Sequence, residues 1–168
     1  MVWIIVLFIA IGLSLIIWRA AKGPAHTLKT VEIPIQDLLR RGYHNGFLVI
    51  NIHRSQYFLQ LKKYIHKPGN YGIKLSFPNA KWSEQIFPKL TKFCKYSGIE
   101  YSIGKEIAEE PLEFLHVDFG KDVTKAHNTI KDIILKVFEF DDSIKLFVRL
   151  ENATVDNELI DSRTREMH

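Results

Sequence analysis

Between Phe47 and Phe77 the chain alternates between apolar and polar side chains in three successive runs, FLVINIH, QYFLQLKKY and YGIKLSF. A period of two belongs to extended strands, whose successive side chains leave on opposite faces. The links between the runs are short, built around Arg54-Ser55 and Lys67-Pro68-Gly69-Asn70, and an Asn45-Gly46 turn precedes the first. Links of this length join antiparallel neighbours, because a parallel return needs a long crossover. A β-meander is therefore the nucleus of the fold, and the rest of the chain has to cover one of its faces.

The period changes in AKWSEQIFPKLTKFCKYSG, where Trp82, Ile86, Leu90, Phe93 and Cys94 share one helical face. Asn79 or Ser83 is the expected N-cap and Gly98 the stop, while Pro88 either kinks the helix or separates its first turn. Glu100 to Gly104 and Pro111 to Gly120 read as two strands joined by an acidic turn with Glu106, Glu109 and Glu110. Asp122 can cap a second amphipathic helix carrying Val123, Ala126, Ile130, Ile133, Ile134 and Val137 on one stripe. A last strand, IKLFVRL, follows the turn DDS. Ahead of the meander, VEIPI suggests a short edge strand holding Pro34, and QDLLRRG one or two helical turns ending at Gly42.

This order predicts an α+β domain over residues 31–150, a two-layer sandwich with a mostly antiparallel sheet and two long amphipathic helices on one face. From Gly72 onward the β-α-β-β-α-β order resembles a ferredoxin-like unit. The order from Gln36 to Phe138 is similar to that of type III secretion chaperone-like domains. Residues 151–168 are polar enough to form a frayed tail.

Residues 1–21 are of another kind, since Val2 to Trp18 contains no charged side chain. Seventeen residues of helix extend roughly 25 Å, close to the hydrocarbon thickness once Ala20, Ala21 and a snorkelling Arg19 are added. A signal peptide would carry positive charge before its apolar run and small residues at its cleavage site, whereas Arg19 spoils a cut after Ala21 and Pro24 spoils the next. A core helix apolar on every side would need burial all round. The expectation is a single transmembrane anchor whose residues 2–18 contact the bilayer, with residues 22–30 as a linker. Arg19, Lys22 and Lys29 follow the span and no Lys or Arg precedes it, which favours an inner-membrane protein with its N-terminus outside and its domain cytoplasmic. The alternative topology is a periplasmic domain on an uncleaved anchor.

The chain holds 23 basic and 19 acidic residues, and Arg19 and Lys22 are its only charges before Thr27. The remainder is thus nearly balanced and carries no nucleic-acid footprint. Neither GxxxxGK[ST] nor GxGxxG occurs, and the seven histidines show no spacing such as HExxH. No cofactor and no metal are expected. Cys94 lies on an apolar stripe near a helix C-terminus, where the dipole opposes thiolate formation, so it reads as packing. Lys81, Lys89, Lys92 and Lys95, approached by Lys62, Lys63 and Lys67, suggest a basic outer face on the first long helix.

Alternation divides the sheet into two faces. Leu48, Ile50, Ile52, Leu59, Leu61, Ile73, Leu75, Leu115, Val117, Phe119, Leu146, Val148 and Leu150 point toward the helices. The other face collects Asn51, His53, Phe58, Gln60, Lys62, Lys74, Ser76, His116, Asp118, Phe147 and Arg149. A polar face with scattered aromatic and Arg anchors suits a protein partner, with Phe58, Gln60, Lys62, Lys74, Phe147, Arg149 and His53 as the binding set. The plainer expectation is a solvated face partly covered by Thr30 to Arg41. His116 and Asp118 project side by side and are the candidate catalytic residues, an acid/base pair of a membrane-associated enzyme with His53 or Arg149 assisting. The leading expectation is a protein-binding module of adaptor, chaperone-like or immunity type, and the enzyme is its alternative.

Overall fold

The computed structural model describes residues 24–67, 70–106 and 112–153. The expected anchor at residues 2–18, the acidic turn at Glu109 and Glu110, and the tail from residue 154 onward lie outside them. Among the described residues no helix is long and apolar enough to cross a membrane.

The elements run β1 (Ala25–His26), α1 (Glu32–Arg41), β2 (Gly42–Ile52), β3 (Phe58–Lys67), β4 (Asn70–Pro78), α2 (Ile86–Tyr96), β5 (Ser102–Glu106), β6 (Leu112–Gly120), α3 (Val123–Asp132), a π-helical turn (Ile133–Val137) and β7 (Leu146–Ala153). The strands form one seven-stranded sheet in the order β1-β7-β2-β3-β4-β6-β5, antiparallel throughout. The expected meander is present as β2-β3-β4. The ferredoxin-like order from Gly72 is present as β4-α2-β5-β6-α3-β7, but β2 and β3 separate β7 from β4, so these six elements do not close on themselves.

All three helices lie on one side of the sheet. Val31, Ile35 and Leu38 of the α1 segment, Ile86, Leu90 and Cys94 of α2, and Ala126, Ile130, Ile133 and Ile134 at α3 join a single core with the apolar face predicted from alternation. Asp122 caps α3 as expected, its carboxylate accepting from the Lys125 N–H at 2.8 Å. Gly98, with φ +65°, supplies the left-handed residue that ends α2.

Four local expectations are corrected. VEIPI is helical rather than extended: Val31, Ile35 and Leu38 are buried at helical spacing while Ile33 is 59% exposed. Pro34 is tolerated because it falls in the first turn of α1, where no intrahelical partner awaits its missing N–H. Neither Asn79 nor Ser83 caps α2, whose N-cap is Gln85 without a side-chain bond; residues 81–85 form separate turns held by Ser83, whose Oγ donates to Pro78 O at 2.6 Å, and Pro88 then falls in the first turn of α2, one of the two arrangements expected for it. Asn45-Gly46 is not a turn between elements but lies inside β2, where the register with β7 shifts between Gly42 and Phe47 and Asn45 takes φ 64°.

The segment from Thr30 to Arg41 packs on the helical side of the sheet and not over the polar face. Three helices therefore cover the apolar face, where two were expected. The stretch read as linker contributes β1, paired with β7, and a buried Leu28, and β7 itself extends through Ala153.

Candidate functional site

With every described helix on one side, no described helix lies over the polar face of the sheet. Register places Arg149, Val49, Gln60, Ser76, His116 and Ser102 as successive neighbours across β7, β2, β3, β4, β6 and β5. A second row runs Phe47, Lys62, Lys74, Asp118, and a third sets Phe147 and Phe58 on either side of Asn51. The seven residues of the predicted binding set thus share one surface, with Phe58, Gln60 and Lys62 on the central strand β3, Lys74 toward β5 and His53, Phe147 and Arg149 toward β7, and Phe58 is partly spent within the molecule, stacked on Trp82 at 4.6 Å between centroids.

One cleft, of about 340 Å³, lies toward β5 and is lined by Tyr64, Lys74, Glu100, Tyr101, His116 and Asp118 among others. His116 and Asp118 both reach it, as their spacing on β6 requires, yet each is held by a different neighbour. The buried Ser76 hydroxyl meets His116 Nδ1 at 3.0 Å, and His116 stacks on Phe114 with the rings 8° apart. Asp118 Oδ1 accepts from the Tyr64 hydroxyl and from the Gly120 N–H, both at 2.8 Å. Burial first, and then the hydrogen bond and charge of Asp118, push the Tyr64 phenol up to about 12. Tyr64 can cross to β6 because Gly72 lies beneath it: a Cβ there would come within 2.5 Å of the Tyr64 hydroxyl and 2.7 Å of Gly120 O.

A second cleft, of about 370 Å³, lies between the β2–β3 hairpin and β7, lined by Asn51, His53, Arg54, Ser55, Phe147 and Arg149 among others. His53 and Arg149 belong here, so the structure does not bring them to His116 and Asp118. Edge contact sets the His53 and Phe147 rings 5.4 Å apart. Arg149 Nε meets Glu151 at 2.8 Å.

Several lining residues were missed by sequence reasoning. Tyr64 shares the parity of Gln60 on β3, so alternation carried enough signal to find it. Arg54, Ser55, Glu100 and Tyr101 sit outside the strands, where no periodicity assigns a face.

The basic patch is smaller than expected. Lys63 is only 3% exposed and points to the core side, donating to Leu39 O at 2.6 Å near the C-terminal end of α1. Burial pulls its ammonium down to about 8. Lys62 belongs to the open sheet face, and Lys89 is paired with Glu139 at 2.9 Å. Cys94 is fully buried, and burial pushes its thiol up to about 11, in keeping with packing. Two other histidines have structural partners: His44 Nδ1 accepts from the Ile65 N–H at 2.9 Å, and His127 Nε2 lies 2.6 Å from Leu28 O. Among the described residues no three His, Cys, Asp or Glu side chains converge to hold a metal ion. Compared with protein-family models, curated proteins and solved structures, the chain matches none.

Proposed function

We propose that this chain is a single-pass membrane-anchored protein whose α+β domain binds a partner protein on the open face of its sheet, at the cytoplasmic side of the membrane. The observation that carries the reading is a sheet face six strands wide with no helix of the described residues over it, bearing aromatic and charged side chains in register. The uncharged run from Val2 to Trp18 and the basic residues after it support the anchor and its direction. Binding is favoured over acid/base chemistry because Asp118 spends its carboxylate on Tyr64 and the Gly120 N–H, and Ser76, not Asp118, meets His116 Nδ1.

Photo-crosslinking tests the surface directly. A benzophenone side chain placed at Gln60 or Lys74 in the full chain should capture one discrete partner in its native membrane, and the same group at Lys92 or Lys125 on the helical side should not. Equal capture from both sides, or capture from the helices alone, would sink the assignment.

A further inference from the structure

We propose that the cleft between the β2–β3 hairpin and β7 binds the phosphate group of a small, partly apolar molecule. At about 370 Å³ it falls in the size range of small-ligand sites. His53, Arg54 and Arg149 supply its ionisable lining, and no carboxylate is among the lining residues. The cleft toward β5 differs in this respect, since Glu100 and Asp118 both line it and would repel an anion.

His53 adds a second, independent observation. Its Nδ1 is buried and has no hydrogen-bond partner. A buried polar atom left unmade costs free energy; Nδ1 is closed to solvent as the ring stands, and a ligand that turns the imidazole so that Nδ1 meets it at the cleft wall recovers that cost on binding. When Nδ1 carries a proton, an oxyanion oxygen is the matching acceptor. The backbone of His53 is anchored by its N–H donating to Lys145 O at 2.9 Å, and its ring packs edge-on against Phe147, so the imidazole stays at this wall of the cleft while free to turn about its side-chain bonds.

Two guanidiniums and one imidazole suit a phosphate, whose three terminal oxygens can each take a charge-assisted hydrogen bond. Glu151 meets Arg149 at Nε, and the guanidinium carries two further amino groups whose N–H bonds can be offered to a phosphate. Val49, Ile52 and Phe147 provide an apolar wall for the body that carries the phosphate. The site stands independently of the protein-docking reading, since neither its residues' chemistry nor its test involves a partner protein.

The test is a titration of the full chain with phenyl phosphate at constant ionic strength, followed through the His53 imidazole nitrogen resonances. Saturable shifts are expected, inorganic phosphate should compete, and uncharged benzyl alcohol should not. Arg54→Gln, on the exposed hairpin, should weaken binding about tenfold or more, and Arg149→Gln should do likewise. Competition by phosphatidylcholine vesicles containing phosphatidic acid would assign the phosphate to a lipid headgroup; competition by soluble phosphate alone would assign it to a free ester. No saturable shift, or unchanged affinity in both Arg variants, would overturn the proposal.

Discussion

Lys63 shows how a residue's position in the fold overrides its type. Its neighbours Lys62 and Tyr64 face the open side of β3, so strict alternation sends Lys63 inward. Burial there disfavours the ammonium, while the Leu39 carbonyl near the C-terminal end of α1 accepts a hydrogen bond from it and the aligned peptide dipoles favour a cation. Tyr71 offers its ring face at 5.1 Å, and Lys121 approaches the same ring at 4.2 Å. The folded pKa of about 8 lies below the ordinary 10.5, so between these values the unfolded chain holds more protons than the folded one. Stability should therefore rise as pH climbs through that window, the penalty of the buried charge being present below it. The raised Cys94 thiol acts in the opposite sense above its ordinary 9.0, so urea midpoints should rise from neutral pH to about 9 in the parent chain and lose that rise in Lys63→Met. A parallel rise in both proteins would remove Lys63 as its source.

Elements in this chain are set by which competing signal tertiary packing rewards. VEIPI carries both a two-residue alternation and a helical stripe through Val31, Ile35 and Leu38, and a five-residue window cannot separate them. Packing chooses the helix because it buries all three beside α3 in the common core. Leu38→Ala should accordingly cost about 2–5 kcal/mol in equilibrium unfolding, whereas Gln36→Ala, on the exposed side of α1, should stay within about 0.5 kcal/mol. Comparable losses at both positions would contradict the placement of α1. At the other helix, where local and tertiary signals agree, Asp122→Ala should remove the bond to the Lys125 N–H and cost about 1 kcal/mol.

At the scale of the molecule, one-sided coverage is the central fact: among the described residues three helices bury a single sheet face and none lies over the other. The same scale redefines where the domain begins. Val148 N donates to Pro24 O at 3.1 Å and β1 pairs with β7, so the described fold starts before Thr27. A chain beginning at Gly23 should remain in the supernatant after membranes are pelleted, and the chain with residues 1–22 should partition with them. Recovery of both in the supernatant would count against the anchor. The sequence by itself determined the α+β class, the meander, the second amphipathic helix with its Asp122 cap, and the division of side chains between the two faces, because all of these rest on short-range periodicity and capping chemistry. It also sufficed to put His116 and Asp118 side by side, a consequence of the two-residue repeat along β6. Only the tertiary structure decided which helices cover the sheet, that His53 and Arg149 share a cleft apart from His116, and that Tyr64 and Ser76 are the partners of Asp118 and His116. Those outcomes depend on strand order and on contacts between residues far apart in the chain, which no local pattern encodes.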